Sequence, residues 1–276
     1  LHFSALLVNV SSSAGAGIRE SGAGVRGAGA VLVVYAVLLA GGAVGNAGVL
    51  TALARTRRRR SRVDLLITHL ALADVTVVCG LIPLEIGWKY TNAWLAGNAL
   101  CKLLQVVRAF GLYLSSNVLV CISVDRFFAV LYPLRLRVAR RRSKQMLCAA
   151  WALALACSLP QSVVFRVQRH PRDAGFEQCV SFDAFSTQKQ EVAYTVFCVC
   201  AMYFVPLVVI SVCYVCIFCE IRRSSHACAS SAGPVRLRRS GRRVLERARR
   251  RTLRMTVTIV AVFALCWLPY VTMALW

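Results

Sequence analysis

Residues 101–133 read CKLLQVVRAFGLYLSSNVLVCISVDRFFAVLYP, and this stretch decides the fold. Sixteen residues without a charge separate Arg108 from Asp125. At about 1.5 Å of rise per residue, a helix over the whole stretch is longer than the roughly 30 Å hydrocarbon layer of a bilayer. The stretch therefore predicts a membrane-spanning helix with charged groups near both of its ends.

Arg108 and Arg126 are predicted to lie on one face of this helix. They are eighteen residues apart, which is about five whole turns at 3.6 residues per turn. Ser115 lies on the same stripe between them. Ionisable groups in a spanning helix usually face the interior of a helix bundle or a wet cavity. The plainer interpretation is that both arginines extend toward the membrane surfaces from an ordinary span.

The rest of the chain repeats this pattern. It has 276 residues, of which 58% are hydrophobic, and the apolar residues come in long blocks, unlike those of a soluble domain. We therefore predict an all-α membrane protein, with residues 1–27 as a disordered outer tail and residues 28–276 as one helical bundle. The predicted spans are residues 28–54, 63–88, 99–132, 144–165, 191–221 and 251–276.

The basic residues are concentrated in alternate connections between the blocks. The formal net charge of +23 would suggest a nucleic-acid partner if it were spread over a soluble surface. Instead, 24 of the 34 basic residues follow the first and third blocks or lie between the fifth and sixth. The positive-inside rule then predicts a multi-pass protein with its N-terminus outside the cell and no nucleic-acid partner. Acidic membrane lipids, or the acidic face of a protein, are secondary candidates as partners.

The cysteines predict a single disulfide bond. Of the thirteen, eleven fall within predicted spans or on the inner side, where they act as small apolar residues or free thiols. Only Cys101 and Cys179 fall on the outer side, so we predict that they pair. Asn9 begins an Asn-Val-Ser sequon in the outer tail and is a predicted glycosylation site.

Other classes of protein are less well supported. Asp74, Glu85 and Arg108 within spans are compatible with a transporter, but the blocks show neither an internal repeat nor a matched pair of broken helices. The sequence has no metal-ligand cluster, no nucleophile paired with a base and no phosphate-binding loop. We therefore expect neither an enzyme nor a metal centre.

The sequence contains several residues whose types and order along the chain resemble the pattern of the rhodopsin-like family of G-protein-coupled receptors. The resemblance covers the chain from about residue 28 to its end. The residues that carry it are Asn46, the stretch from Leu70 to Asp74, Cys101 with Cys179, Asp125-Arg126, Trp151, Pro206 with Tyr214, and Cys266-Trp267-Leu268-Pro269. The resemblance implies a seven-helix bundle, of which the sequence contains six predicted spans and lacks the seventh.

Within that family the sequence is most similar to receptors for gonadotropin-releasing hormone, adipokinetic hormone and corazonin. Three stretches carry this likeness: residues 83–88 (PLEIGW), residues 94–102, and residues 110–133 with LSSNVLVCISVDRFFAVLYP. The PLEIGW stretch looks most like the adipokinetic hormone receptors of arthropods. The ligand implied is a small peptide with a blocked N-terminus and an amidated C-terminus, which offers carbonyls and aromatic rings more than charges.

The resemblance implies roles for particular residues. Glu85, Trp88 and Arg108 match the region that meets the peptide, and the alternative for Glu85 and Arg108 is an ion pair that stabilises the outer bundle. Asp74 with Ser115 matches an allosteric sodium site, which is the one cofactor implied. A further set matches the activation switch and the G-protein contact: Asp125, Arg126, Pro206, Tyr214, Phe263, Trp267 and Pro269.

The function implied is that of a plasma-membrane receptor for a neuropeptide hormone, which activates a heterotrimeric G protein. Two residues depart from the family pattern. Phe127 stands where a tyrosine is usual, and Arg249 stands where some relatives have an acid that pairs with the motif arginine, so an ionic lock of that kind is not expected. The alternative is a truncated fragment or isoform that cannot signal, because the family has seven spans and the sequence shows six.

Overall fold

The computed structural model describes residues 22–55, 62–91, 93–132, 136–170, 173–181 and 184–230, with residues 258 and 261. The predicted sixth span, the sequon at Asn9, and Phe263, Trp267 and Pro269 lie outside the described residues. Five helical segments in the described part are long and apolar enough to cross a membrane: Leu32–Arg55, Arg62–Trp88, Gly97–Leu131, Arg140–Val164 and Gln188–Arg223. They correspond to the first five predicted blocks, so the all-α membrane fold is confirmed.

Helix α1 covers Gly22–Arg55 and begins earlier than the predicted first span. Its initial segment, residues 22–30 (GAGVRGAGA), is helical although its four glycines disfavour helix. The second span consists of α2 (Arg62–Val75), a π-helical turn (Thr76–Leu81) and α3 (Ile82–Thr91). The third span is α4, Gly97–Leu131. The fourth begins with α5 (Leu136–Ser158) and ends with the short α6 (Gln161–Val164). The fifth consists of α7 (Gln188–Val199), a π-helical turn (Cys200–Phe204) and α8 (Val205–Ser230).

Both π-helical turns come shortly before a proline. Pro83 follows the turn at Thr76–Leu81, and Pro206 follows the turn at Cys200–Phe204. A proline in a helix has no N–H to donate, and its ring crowds the carbonyl four residues earlier. A wider turn at that point relieves the crowding and redirects the helix. In each span the structure thus locates the irregularity in the turn just before the proline.

Helix α4 lies at the centre of the bundle. Its buried residues extend from Cys101 to Asp125, and it packs against α2, α5 and α8. The main core joins Leu66 of α2, Tyr113 and Val118 of α4, Leu147 of α5 and Met202 of the fifth span. Gly111 brings α4 close to the second span, because a Cβ at this position would overlap the Val77 side chain. The stretch that the sequence identified as decisive is therefore the packing centre of the fold.

The outer connection between the fourth and fifth spans forms a hairpin. Strand β1 (Arg166–His170) pairs antiparallel with strand β2 (Asp173–Val180), so that Val167 lies opposite Cys179. The predicted disulfide between Cys101 and Cys179 is present, with the two Cα atoms 5.7 Å apart, and it fixes β2 to the outer end of α4.

Candidate functional site

Three spans contribute polar side chains to a buried cluster below the hairpin. Glu85 of α3 is 1% exposed and forms an ion pair with Arg108 of α4, whose side chain is 12% exposed. Tyr35 of α1 is fully buried, and its hydroxyl interacts electrostatically with the Arg108 guanidinium. We call Tyr35, Glu85 and Arg108 the outer polar cluster. The structure therefore brings together two residues that the sequence assigned to one site, although they lie on different spans.

Tyr35 is the member of the outer polar cluster that sequence reasoning missed. It lies inside an apolar block, where a tyrosine reads as ordinary core packing. Its ring packs against Val78 and Ile82 of the second span, which places its hydroxyl near Arg108. A buried phenol usually finds a polar partner, but which partner cannot be read from spacing along the chain.

Trp88 is held by the outer loops. Its indole N–H donates to the Gln178 side-chain oxygen at 2.8 Å, and its ring meets Trp94 edge-to-face at 5.0 Å between centroids. A groove of about 310 Å³ lies beside Trp88 with an uncharged lining, which includes Pro83, Gly87 and Trp94 but neither Glu85 nor Arg108. Trp88 therefore connects the second span to the hairpin, and its contact with a ligand stays a prediction.

The hairpin is anchored at several points besides the disulfide. The backbone N–H of Trp94 donates to the Glu177 carbonyl at 2.7 Å. The Asn98 side-chain oxygen accepts from the backbone N–H of Val167 at 3.0 Å. Trp94 and the disulfide cysteines are buried together with Leu81 and Leu104. These contacts hold the hairpin against the outer ends of the second and third spans.

Asp74 and Ser115 meet at mid-depth in the bundle. The Ser115 hydroxyl donates to a carboxylate oxygen of Asp74 at 3.0 Å, and Ser115 is 4% exposed. A carboxylate and a hydroxyl supply the hard oxygen donors that suit a small hard cation, so this pair fits the predicted sodium site. Within the described residues there is no cluster of three or more histidine, cysteine or acidic side chains that could hold a metal ion.

At the inner end of α4, Asp125 connects three spans. It is 1% exposed, accepts a hydrogen bond from the Ser143 hydroxyl of α5 at 3.0 Å, and lies 3.4 Å from the Arg62 guanidinium of α2. Arg142 of α5 stacks on the Phe128 ring, 3.8 Å from its centroid. The sequence pointed to Asp125 but gave no sign that Arg62 and Ser143 would be its partners.

Arg126 does not lie inside the bundle as the helical spacing predicted. Arg108 is largely buried, whereas Arg126 is exposed at the inner end of α4. The stripe that the two residues share leaves the packed core near this end, so the same face meets a different environment. Tyr214 of α8 is buried beside Ser123 and within electrostatic reach of Arg126. The structure thus groups Arg126 with Tyr214, two of the residues assigned to the activation switch.

Comparison with known proteins places these features in a family. Residues 45–276 match the model of the 7 transmembrane receptor (rhodopsin family). The gonadotropin-releasing hormone II receptor of Clarias gariepinus is 39% identical over 242 residues, which is 87% of this chain and 64% of that protein. The gonadotropin-releasing hormone receptor of Octopus vulgaris is 35% identical over 82% of this chain and 57% of that protein.

A third relative is the gonadotropin-releasing hormone II receptor of Chlorocebus aethiops, 35% identical over 88% of this chain and 64% of that protein. The chain thus spans 57% to 64% of the length of these three relatives. Their similarity extends over 82% to 88% of this chain.

Proposed function

The chain belongs to the rhodopsin family of seven-transmembrane receptors, in the gonadotropin-releasing hormone receptor group, and from this premise we propose that it is a multi-pass plasma-membrane receptor for a small amidated peptide hormone. The family is one of receptors and not of enzymes. The ligand class proposed is the gonadotropin-releasing hormone, adipokinetic hormone and corazonin type. The PLEIGW stretch at residues 83–88 favours the adipokinetic hormone type within it.

The observation that carries this proposal is the outer polar cluster. Arg108 and Glu85 are buried below the hairpin, at the end of the bundle where a peptide from outside would arrive. The guanidinium can donate to peptide carbonyls, and the carboxylate can accept from peptide N–H groups. In the absence of the peptide, Glu85 and Arg108 satisfy each other. Binding would exchange this internal contact for contacts with the hormone.

At the inner end, we propose that Arg126 and Tyr214 take part in contact with a heterotrimeric G protein. Arg126 is exposed while Asp125 is held by Arg62 and Ser143. The receptor works by population shift: the peptide and the G protein each bind one bundle arrangement more tightly, so each favours the other's binding. Phe263, Trp267 and Pro269 complete the proposed switch.

We also propose that Asp74 and Ser115 hold a sodium ion that favours the inactive arrangement. The ion would neutralise a carboxylate that lies within a membrane span, where an uncompensated charge costs about 2.5–3.5 kcal/mol. The residues supply oxygen donors and the ion supplies the positive charge. We expect that added sodium lowers agonist affinity in wild type and has little effect on agonist affinity in the Asp74→Asn variant.

The experiment that tests the ligand site is agonist potency after Arg108→Ala substitution. When cells are compared at matched surface levels, we expect potency to fall by roughly tenfold to a hundredfold, because a hydrogen bond to a charged group contributes about 1.5–3 kcal/mol. Arg169→Ala is the control, since Arg169 is an exposed arginine on the same outer side. Unchanged potency in Arg108→Ala would remove Arg108 from the site.

Agonist response in cultured cells also tests the alternative, that the chain is a receptor form that cannot signal. One set expresses residues 1–276, and a second set expresses the same residues followed by a seventh span taken from a relative. If only the second set responds to peptide, residues 1–276 alone act as a non-signalling form. If both respond, that alternative is wrong.

A further inference from the structure

The inner end of α5 carries basic side chains on its outward face. Arg140, Arg141 and Lys144 are all exposed. Neighbouring residues point the other way, because Ser143 donates to Asp125 and Arg142 stacks on Phe128. The packing of Ser143 and Arg142 therefore fixes the helix so that the three remaining basic groups face outward. We call Arg140, Arg141 and Lys144 the α5 basic face.

These three charges lie close together. Arg140 and Lys144 are four residues apart and Arg141 and Lys144 are three apart, so their Cβ atoms lie about 5–6 Å apart on one helix surface. Like charges at this spacing repel each other and destabilise a helix. No acidic residue occurs in the sequence between Asp125 and Asp173, and the α5 basic face has no ion pair with any described residue. An external anion would relieve the repulsion.

The surface next to the α5 basic face is apolar. On the outward side, Ala149, Leu153 and Leu155 are exposed, and on the opposite side Leu147, Ala150 and Ala154 are buried in the core. The fourth span begins at Arg140, so the three charges lie at its inner end. Lys144 and Leu155 are eleven residues apart, which is close to three whole turns and about 16 Å along the helix. Leu155 therefore lies on the same side of α5 as Lys144, at about the half-thickness of a bilayer core.

We propose that the α5 basic face binds the multiply phosphorylated head group of a phosphoinositide lipid, whose acyl chains lie along the exposed apolar face of α5. The head group supplies several phosphate charges within the small area covered by three cations. The apolar face supplies a surface for the chains directly above it. A soluble phosphate would supply the negative charge but no acyl chains for the apolar face. An acidic protein surface would supply neither several phosphate charges within so small an area nor acyl chains.

Lipid retention measured by native mass spectrometry tests this proposal. The purified 276-residue protein, in a neutral detergent, is given equal amounts of phosphatidylinositol bisphosphate, phosphatidylserine and phosphatidylcholine. We expect wild type to retain phosphatidylinositol bisphosphate in preference to the other two lipids. The variant R140Q/R141Q/K144Q is expected to bind it on the order of a hundredfold more weakly, at about fivefold for each charge removed.

Two further variants make the test specific. R55Q/R222Q/R223Q removes the same number of exposed basic residues from the ends of α1 and α8, and it is expected to retain the lipid. R140K/R141K keeps the charge, so it is expected to bind nearly as well as wild type and to show that the site tolerates substitution.

Three results would overturn the proposal. They are equal retention by wild type and R140Q/R141Q/K144Q, an equal loss in R55Q/R222Q/R223Q, and full displacement of the lipid by an equal concentration of soluble inositol trisphosphate. The last result would show that the apolar face contributes nothing. Because the readout is lipid binding alone, its failure is distinguishable from a failure of peptide signalling.

Discussion

At the scale of single residues, the buried ion pair between Glu85 and Arg108 defines the outer site. Taking either charge out of water is costly, and each charge is compensated by the other. Removing one partner of such a pair is more destabilising than removing both, because one partner is left charged and unpaired. The pair therefore keeps two groups with hydrogen-bonding capacity in place at the proposed ligand site.

This reasoning predicts the stability of three variants. Glu85→Gln should lower the free energy of unfolding by about 3–5 kcal/mol, and the double variant Glu85→Gln/Arg108→Gln should recover a large part of the loss. Thermal unfolding of the purified protein without peptide measures both. The control is Arg169→Gln/Glu177→Gln, an exposed pair at 2.8 Å on the hairpin, which should cost less than about 1 kcal/mol. A Glu85→Gln variant as stable as this control would contradict the interpretation.

The sequence alone identified a residue as a candidate site residue where a charge interrupts an apolar block. Asp74, Glu85, Arg108 and Asp125 all stand out in this way. Their partners were less predictable. Arg62 is one of six arginines in a short basic stretch, and nothing in its neighbours distinguishes it. Only the packing of α2 and α5 against α4 brings Arg62 and Ser143 to Asp125.

At the scale of elements, the hairpin and its disulfide organise the outer end of the bundle. The bond joins residues 78 apart in sequence, and Trp88, Trp94 and Asn98 add contacts from the second span, the first outer loop and the start of α4. The spans were predictable because a bilayer requires long apolar helices. The hairpin was not, since its register depends on contacts with residues far away in sequence.

Removing this disulfide should destabilise the outer end more than the inner end. For Cys101→Ser/Cys179→Ser we expect a loss of about 2–4 kcal/mol in the free energy of unfolding, because the crosslink closes a long loop in the unfolded chain. Hydrogen exchange should rise in β1 and β2 and stay constant around Asp125. The control Cys79→Ser/Cys148→Ser changes two exposed free thiols. Equal protection of the hairpin in wild type and the disulfide variant would show that its other contacts suffice.

At the scale of the whole molecule, charge distribution predicts how the bundle sits in the membrane. Arginine-rich connections alternate with outer connections that have few basic residues, so the N-terminus is predicted to be outside. The same predicted orientation would place the outer polar cluster toward the proposed hormone and Arg126 toward the proposed G protein. The proposed ligand access and the proposed G-protein contact thus both depend on the orientation that the charge distribution predicts.

Labelling of intact cells tests this orientation. An epitope tag ahead of Asn9 should bind antibody without permeabilisation, whereas a tag placed in the connection between Arg222 and Arg254 should require it. Glycosidase should reduce the apparent mass of wild type and leave Asn9→Gln unchanged, because only a sequon on the outer side is glycosylated. Staining of the second tag alone on intact cells would reverse the assigned orientation.

The most direct test of the central claim is a second-messenger assay on cells that display the chain followed by a seventh span. Gonadotropin-releasing hormone, adipokinetic hormone and corazonin peptides are applied separately, and calcium and cyclic AMP are recorded together. We predict a selective response to one of these peptide types at nanomolar concentration, with potency roughly tenfold to a hundredfold lower in Arg108→Ala. Silence across all three, with the receptor detected at the cell surface, would contradict the assignment as a receptor for this peptide group.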